Sequence, residues 1–169
     1  MERVISWVTN KLNIKVSEYD DFIGLLTDQK IDKFEQKFSE YLMNSTSYHD
    51  LIKEKDYHNL IGGLLAPLAR GYMIESNRES GHGRFDHVLI PRENKGNSAI
   101  IIEYKLSETT EDLVRVAMIG LNQIINKCYD TKIKEYSHVK KIINIGMAFC
   151  GKEISMQYQI KYLGSFKTK

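Results

Sequence analysis

The sequence contains little cysteine, little proline and no large excess of charge of one sign. Its two cysteines, Cys128 and Cys150, form no CxxC pair. This argues against a disulfide framework or a zinc knuckle and predicts a reduced, cytoplasmic chain. Two prolines and 11 glycines in 169 residues argue against disorder, collagen and low-complexity linkers. Lys and Arg total 24 against 22 Asp and Glu, so a nucleic-acid partner would need positive charge gathered locally.

Long hydrophobic runs and several common enzyme motifs are also missing. The longest nearly uncharged stretch, residues 60–69, is too short to span a bilayer, so we expect no membrane partner. The first residues lack the apolar run of a secretory signal. Residues 146–152 resemble a P-loop, but Glu153 stands where Ser or Thr is needed, so we predict a turn between strands. No Gly-x-Ser-x-Gly or HExxH motif occurs.

The length of 169 residues predicts one domain with at most a small appendage, and hydrophobic periodicity predicts an α/β fold. Apolar residues three to four apart predict helices over 4–12 and 31–42, and a third from the N-cap candidate Asp50 to Gly71. Thr109 or Thr110 is expected to cap a later helix whose apolar stripe extends to Ile125. Strands are predicted over residues 72–76, 85–90, 99–106, 140–149 and 154–160. Three strands precede the crossover helix, which indicates a mixed sheet.

The main candidate for chemistry is a pair of acids with a lysine. Glu103 and Lys105 interrupt an apolar, β-branched run, and strand side chains two residues apart share a face. Asp86 lies near the start of the preceding predicted strand, so an antiparallel pairing would bring its carboxylate beside Glu103. Two carboxylates are oxygen ligands of the kind that Mg²⁺ uses, and a nearby ammonium stabilises negative charge or orients water. The pattern predicts metal-assisted attack on a phosphate.

The Glu-x-Lys pattern alone is not specific, since it occurs three times in the chain. The copy at residues 35 and 37 lies in a predicted helix, and the copy at residues 93 and 95 lies in a predicted turn. Glu103 and Lys105 follow a buried strand, where charges are costly unless they are used. The alternative that the pattern leaves open is a strand end that simply emerges into solvent.

Three segments resemble the PD-(D/E)XK nuclease superfamily, namely residues 78–86, 101–105 and 149–153. More specifically, the chain is similar to bacterial nuclease-like domains that usually follow an AAA-ATPase-like domain. The resemblance implies a restriction-endonuclease-like core, with element order α-β-β-β-α-β and a mixed central sheet flanked by helices. It places this nuclease-like domain at residues 47–169, after a helical N-terminal extension at residues 1–46. Phe85 replaces the proline of the motif, a common variation.

The resemblance also implies roles for individual residues. Asp86 and Glu103 would ligate Mg²⁺ or Mn²⁺, and Lys105 would be the catalytic lysine. His58, on the helix before the sheet, would be a further metal ligand; a hydrogen-bonded core histidine is the alternative. Apart from the resemblance, the place of Glu79 beside the turn makes it a candidate extra carboxylate of the metal site; a solvated turn residue is the alternative.

Further candidates follow the helix and the glycine-containing turn. Gln123 is expected to contact the substrate or the water of the metal. Similar nucleases have a tyrosine one turn after this glutamine, where this chain has Lys127, so we interpret Tyr129 as a packing residue. Arg78 and Arg84 flank the turn and are candidate phosphate contacts, although the turn could instead only close a hairpin.

We therefore expect a metal-dependent nuclease that hydrolyses phosphodiester bonds, most readily in DNA. Structured RNA as the substrate would use the same residues. The alternative is a non-catalytic module that binds nucleic acid or protein on a nuclease-like scaffold. A homodimer would supply two active sites for a duplex, and an ATPase-like domain or protein is a further expected partner.

Overall fold

The structure, a computed structural model, describes residues 2–45, 53–93 and 95–163. Its α-helices are α1 (Glu2–Leu12), α2 (Val16–Thr27), α3 (Ile31–Asn44), α4 (Glu54–Leu65) and α5 (Leu113–Asn126). Its strands are β1 (Tyr72–Ser76), β2 (Glu79–Ser80), β3 (Gly83–Arg84), β4 (His87–Pro91), β5 (Ser98–Leu106), β6 (Lys141–Cys150) and β7 (Glu153–Tyr162). Short 3-10 helices cover Ala66–Arg70 and Ile133–Glu135.

A five-stranded sheet in the order β1-β4-β5-β6-β7 forms the centre of the molecule. Strands β5 and β6 run parallel and are connected through α5, whereas the neighbouring pairs in the sheet are antiparallel. The central strands are buried along almost their whole length, as expected for apolar strands covered on both faces. The mixed sheet flanked by helices confirms the predicted fold class and is consistent with a restriction-endonuclease-like fold.

The two faces of the sheet carry different helices. Even-numbered residues of β5, such as Ile102 and Tyr104, share one buried apolar cluster with side chains of α1 to α4. Odd-numbered residues, such as Ile101, share a second cluster with Ile124 of α5 and with Tyr129. The N-terminal helices therefore pack into the same core as the sheet. No helix in the described ranges is long and apolar enough to cross a membrane.

Several details differ from the sequence-based expectations. Helix α2 was not among the predicted helices, although its apolar residues keep a spacing of three to four. The N-cap of α5 is Asp112 rather than a threonine, and no side chain caps the helix there. The Thr109 hydroxyl donates to the Asp112 carboxylate at 3.2 Å instead of accepting from a helix amide. Ile125 is 42% exposed, so it does not belong to the buried stripe of α5.

The end of α4 is also tighter than predicted. The chain changes to a 3-10 helix at Ala66, next to Pro67, since proline cannot donate the next helical hydrogen bond. Gly71 follows with φ −113, so it does not adopt the left-handed conformation expected of a C′ glycine. The N-cap candidate Asp50 and the proposed domain boundary at residues 46 and 47 lie outside the described residues.

Helix α3 covers part of the outer edge of the sheet at β7. Oε1 of Glu35 accepts a hydrogen bond from the backbone amide of Met156 at 2.9 Å. An edge-strand amide that has no strand neighbour is thus satisfied by a side chain of a helix. The contact ties the N-terminal helices to the strand farthest from β1.

Candidate active site

Glu103 and Lys105 point to the α5 side of the sheet. The Lys105 ammonium lies 2.7 Å from Oε1 of Glu103. The Glu103 side chain is only 3% exposed, whereas that of Lys105 is 30% exposed. The pair therefore connects a buried carboxylate to a cation that solvent and ligands can reach.

Asp86 lies beside this pair because of the antiparallel register of β4 and β5. His87, the first residue of β4, pairs with Ile102. One residue earlier, Oδ2 of Asp86 accepts a hydrogen bond from the backbone amide of Tyr104 at 3.0 Å. The contact fixes the Asp86 carboxylate at the residue that separates Glu103 from Lys105.

The protonation of Glu103 reflects this crowding of acids. Burial, together with the negative charge of Asp86, raises the pKa of Glu103 from 4.5 to about 7, and Lys105 and a hydrogen bond from the Asp86 backbone oppose the rise. Within the described part of the chain, the buried Oε2 atom of Glu103 has no hydrogen-bond partner. A buried carboxylate oxygen without a hydrogen-bond donor is rare and destabilises the fold, and a bound cation would satisfy that oxygen.

Gln123 and Tyr129 extend the cluster through hydrogen bonds. The Gln123 carboxamide donates one hydrogen bond to Oε1 of Glu103 and another to the hydroxyl of Tyr129 at 3.0 Å. The Tyr129 hydroxyl then donates to the carbonyl of Arg84 at 2.6 Å. Tyr129 is buried, as the packing interpretation expects, but it also links Gln123 to the turn that carries Arg84.

The turn that carries Arg84 is a small hairpin, formed by β2 and β3, which docks on the C-terminal end of α5. Gly81, at its tip, has φ +60, and a Cβ atom there would lie 2.1 Å from the carbonyl oxygen of Lys127. The amide of His82 donates to that same carbonyl at 2.8 Å. Glycine is required here because any side chain would push the hairpin away from α5.

His58 lies on the opposite face of the sheet from Glu103, beside Tyr104. Its Nδ1 contacts the hydroxyl of Tyr104, and its Nε2 lies 3.3 Å from Nδ2 of Asn77. His58 and Asp86 line the same open pocket. The ring of His87 lies at a tilt to that of His58, with 4.8 Å between the ring centroids. Burial, helped by His58, lowers the pKa of His87 to about 4, so His87 is neutral near pH 7.

The remaining predicted residues lie on or near the hairpin. Glu79 is exposed and pairs in register with Arg84 across β2 and β3. Arg84 is exposed and forms no ion pair with any other described residue. Arg78 differs, because its guanidinium lies 3.6 Å from Oε1 of Glu75. Both oxygens of Glu75 also accept hydrogen bonds from Lys132 at 2.7 Å, an ion pair that sequence analysis did not find.

Comparison with known protein families identifies the lineage of the chain. The sequence model described as PD-(D/E)XK nuclease superfamily matches residues 52–159, which is more than half of the chain. The chain belongs to the PD-(D/E)XK nuclease superfamily. The matched range includes Asp86, Glu103 and Lys105, the residues predicted from the sequence to form the motif that names the superfamily. No curated protein matches the chain.

PD-(D/E)XK nucleases typically use divalent metal ions. In residues 2–45, 53–93 and 95–163, no group of three or more His, Cys, Asp or Glu side chains is arranged to hold a metal ion. The charge of Asp86 acts on Glu103, and Glu103 has a buried oxygen without a donor. These groups fit a hard divalent cation that takes part of its coordination shell from water and substrate.

Proposed function

We propose that this chain is a metal-dependent nuclease that hydrolyses phosphodiester bonds, most readily in DNA. The observation that carries the proposal is the buried Glu103 carboxylate, which has an unpartnered oxygen, an ion pair to Lys105 and Asp86 beside it. A purely structural carboxylate would be expected to have both oxygens satisfied. The superfamily supports the reaction class.

Asp86 and Glu103 would hold the cation, Mg²⁺ or Mn²⁺. When bound, such a cation polarises the phosphoryl group and lowers the pKa of water. The chain contributes the fixed positions of the two carboxylates, since Asp86 is held by the Tyr104 amide and Glu103 by Gln123. His58 and Glu79 stay proposed further ligands, of which His58 lies in the same pocket as Asp86 and Glu79 lies on the exposed hairpin.

Lys105 would act on the phosphate rather than on the fold. Its ammonium is anchored on Glu103 and still partly exposed, so it is available to a phosphate or to the attacking water. An oriented ammonium stabilises the negative charge that grows on the phosphate oxygens during the reaction. Gln123 would keep the Glu103 carboxylate in place while Lys105 contacts the substrate.

Cleavage assays test the proposal directly. Purified chain is incubated with supercoiled plasmid, single-stranded DNA and structured RNA, with Mg²⁺ or Mn²⁺ and with excess chelator. We expect cleavage that chelator abolishes, and a loss of about a hundredfold or more in Lys105→Ala and Glu103→Gln. Lys33→Ala, on the exposed face of α3, is the matched control and should cleave like the wild type.

Three results would count against the proposal. Undiminished cleavage by both site variants would contradict the site assignment. Cleavage in the presence of excess chelator would contradict the requirement for a metal ion. Binding of nucleic acid without cleavage would favour the alternative, a non-catalytic module on the nuclease scaffold. Preference for RNA over DNA would leave the site in place and change only the substrate.

A further inference from the structure

A second feature of the molecule is an open pocket on the side of Asp86 away from Glu103. It has a volume of about 390 Å³, which is enough for a nucleotide-sized group. Helix α4, the turn after β1, and strand β5 contribute to its walls. The lining residues are Lys55, His58, Asn59, Asn77, Asp86 and Tyr104.

The chemistry of this pocket is that of a phosphate-binding surface. Apart from Asp86, its lining side chains are an ammonium, an imidazole, two carboxamides and a phenol, which are all able to donate hydrogen bonds. Lys55 is exposed and forms no ion pair with another described residue. It lies in the first turn of α4, where the positive end of the helix dipole adds to its charge.

The wall of the pocket is held in place before any ligand binds. Asn77 has φ +52, and its backbone amide donates to the carbonyl of Asp86 at 3.2 Å. The Asn77 side chain meets His58 at 3.3 Å, and His58 in turn contacts Tyr104. A fixed set of donors loses little entropy on binding, so these contacts favour a specific ligand over a loose one.

Asp86 belongs to both sites. On one side it lies beside Glu103 and Lys105, which point towards α5; on the other it forms part of the pocket beside α4. Because the two sites lie on opposite sides of the sheet, a nucleic-acid strand with its scissile phosphate at Glu103 and Lys105 would place its neighbouring nucleotide at Lys55 and Asn59 only if it crosses the sheet at Asp86. The single acid of the pocket is the one that the cation of the proposed function would neutralise.

We infer that this pocket is a second subsite, in which Lys55, Asn59 and Asn77 bind the phosphate of the nucleotide next to the cleaved bond. The inference rests on the proposed function for its substrate. It assigns to these three residues a role in substrate affinity rather than in bond cleavage. Contacts to phosphate position a strand without reading its sequence, so the subsite should bind all sequences alike.

The test separates binding from cleavage. Lys55→Met removes the charge and keeps a good helix former, and Lys33→Met on α3 is the control, because α3 packs on β7 at the far edge of the sheet. Binding of a fluorescein-labelled oligothymidylate is followed by fluorescence anisotropy with Ca²⁺ in place of Mg²⁺. Cleavage is followed on the same oligonucleotide and on thymidine 5′-(p-nitrophenyl phosphate), which has no neighbouring phosphate.

We expect Lys55→Met to weaken oligonucleotide binding about tenfold and to reduce its salt dependence by about one phosphate contact. Turnover of the p-nitrophenyl ester should stay at the wild-type level, and replacing the phosphates of the oligonucleotide by methylphosphonates should erase the difference between the two proteins. Lys33→Met should match the wild type in every assay.

Other outcomes overturn the inference. Unchanged oligonucleotide binding in Lys55→Met means that the pocket holds no phosphate. An equal loss on oligonucleotide and ester places Lys55 in the chemistry or the fold instead. A tenfold binding loss in a chain that cleaves neither substrate supports the subsite and rejects the nuclease, so the two proposals fail separately.

Discussion

Tyr129 lies six residues after Gln123 and beyond the end of α5, yet its hydroxyl lies 3.0 Å from Nε2 of Gln123. Because the same hydroxyl donates to the carbonyl of Arg84, one side chain joins the candidate active site to the hairpin. The carboxamide of Gln123 uses its two N–H groups on Glu103 and Tyr129. The position of Glu103 thus depends on Tyr129, which holds Gln123 in place without a hydrogen bond of its own to Glu103.

Replacing Tyr129 by phenylalanine should show this dependence. Tyr129→Phe leaves the ring packing intact and removes a donor to Arg84 and an acceptor from Gln123, so we expect a loss of about 1–2 kcal/mol in the free energy of unfolding. We also expect cleavage to slow by about tenfold, because Glu103 loses its fixed neighbour. Denaturant unfolding and initial rates measure the two effects.

The control is Tyr136→Phe, whose hydroxyl makes a long contact of 3.9 Å to the sulfur of Met73. It should change neither quantity appreciably. If Tyr129→Phe cleaves at the wild-type rate, the hydrogen bond between Tyr129 and Gln123 does not affect catalysis.

The raised pKa of Glu103 makes stability depend on pH with a defined sign. The folded chain holds a proton on Glu103 up to a pH of about 7, whereas the free carboxyl loses it near 4.5, so stability falls as the pH rises between these values. Glu103→Gln does not titrate. We expect the free energy of unfolding of the variant, relative to that of the wild type, to increase by about 2 to 4 kcal/mol as the pH rises from 4.5 to 8. Urea unfolding across this pH range measures the difference, and parallel curves for the two proteins would contradict the shift.

A divalent metal ion should offset the loss of stability that accompanies ionisation of Glu103, even without substrate. Metal binds the charged carboxylates, so it should stabilise the wild type by about 3 kcal/mol when it is present at a hundredfold excess over its dissociation constant. The gain should be smaller at pH 6 than at pH 8, since Glu103 must lose its proton first. Thermal unfolding with Mn²⁺ against potassium of equal ionic strength measures it. Asp86→Asn keeps an acceptor for the Tyr104 amide and should lose most of the gain; an equal gain in this variant would place the metal elsewhere.

The two arginines beside the hairpin should contribute unequally to nucleic-acid binding. Arg78 faces Glu75, which also binds Lys132, whereas Arg84 has no acidic partner among the described side chains. We expect Arg84→Ala to weaken DNA binding about tenfold and Arg78→Ala less than about twofold. Fluorescence anisotropy over a range of salt concentrations measures both. Equal losses of DNA affinity in the two variants would show that the ion pair with Glu75 does not reduce the contribution of Arg78 to binding.

The sequence predicts those parts of the site that depend on strand geometry. Alternation along β5 places Glu103 and Lys105 on one face, and a short connection makes β4 its antiparallel neighbour. These rules act over few residues and leave few alternatives. Asp86 is therefore found beside Glu103 from the pattern alone.

Contacts that depend on chain reversals are not predictable in this way. The backbone leaves the helical direction at Cys128, which has φ +53, and this turns Tyr129 back towards Gln123. Counting residues along an unbroken helix would instead place Lys127 one turn after Gln123. The ion pair of Glu75 with Lys132 joins residues that are far apart in sequence, so no local sequence pattern predicts it. Helix α2 is different, since Tyr19, Phe22, Ile23 and Leu26 carry a helical spacing that the sequence does display.

The contact between Glu35 and Met156 has a consequence for self-association. An open sheet edge is a template on which another molecule can add a strand, and long exposed edges lead to aggregation. Here the carboxylate occupies the amide that such a strand would need, and α3 stands in its path. Two copies of the chain that meet through their sheets must therefore avoid this stretch of β7 or first lift α3 away from it.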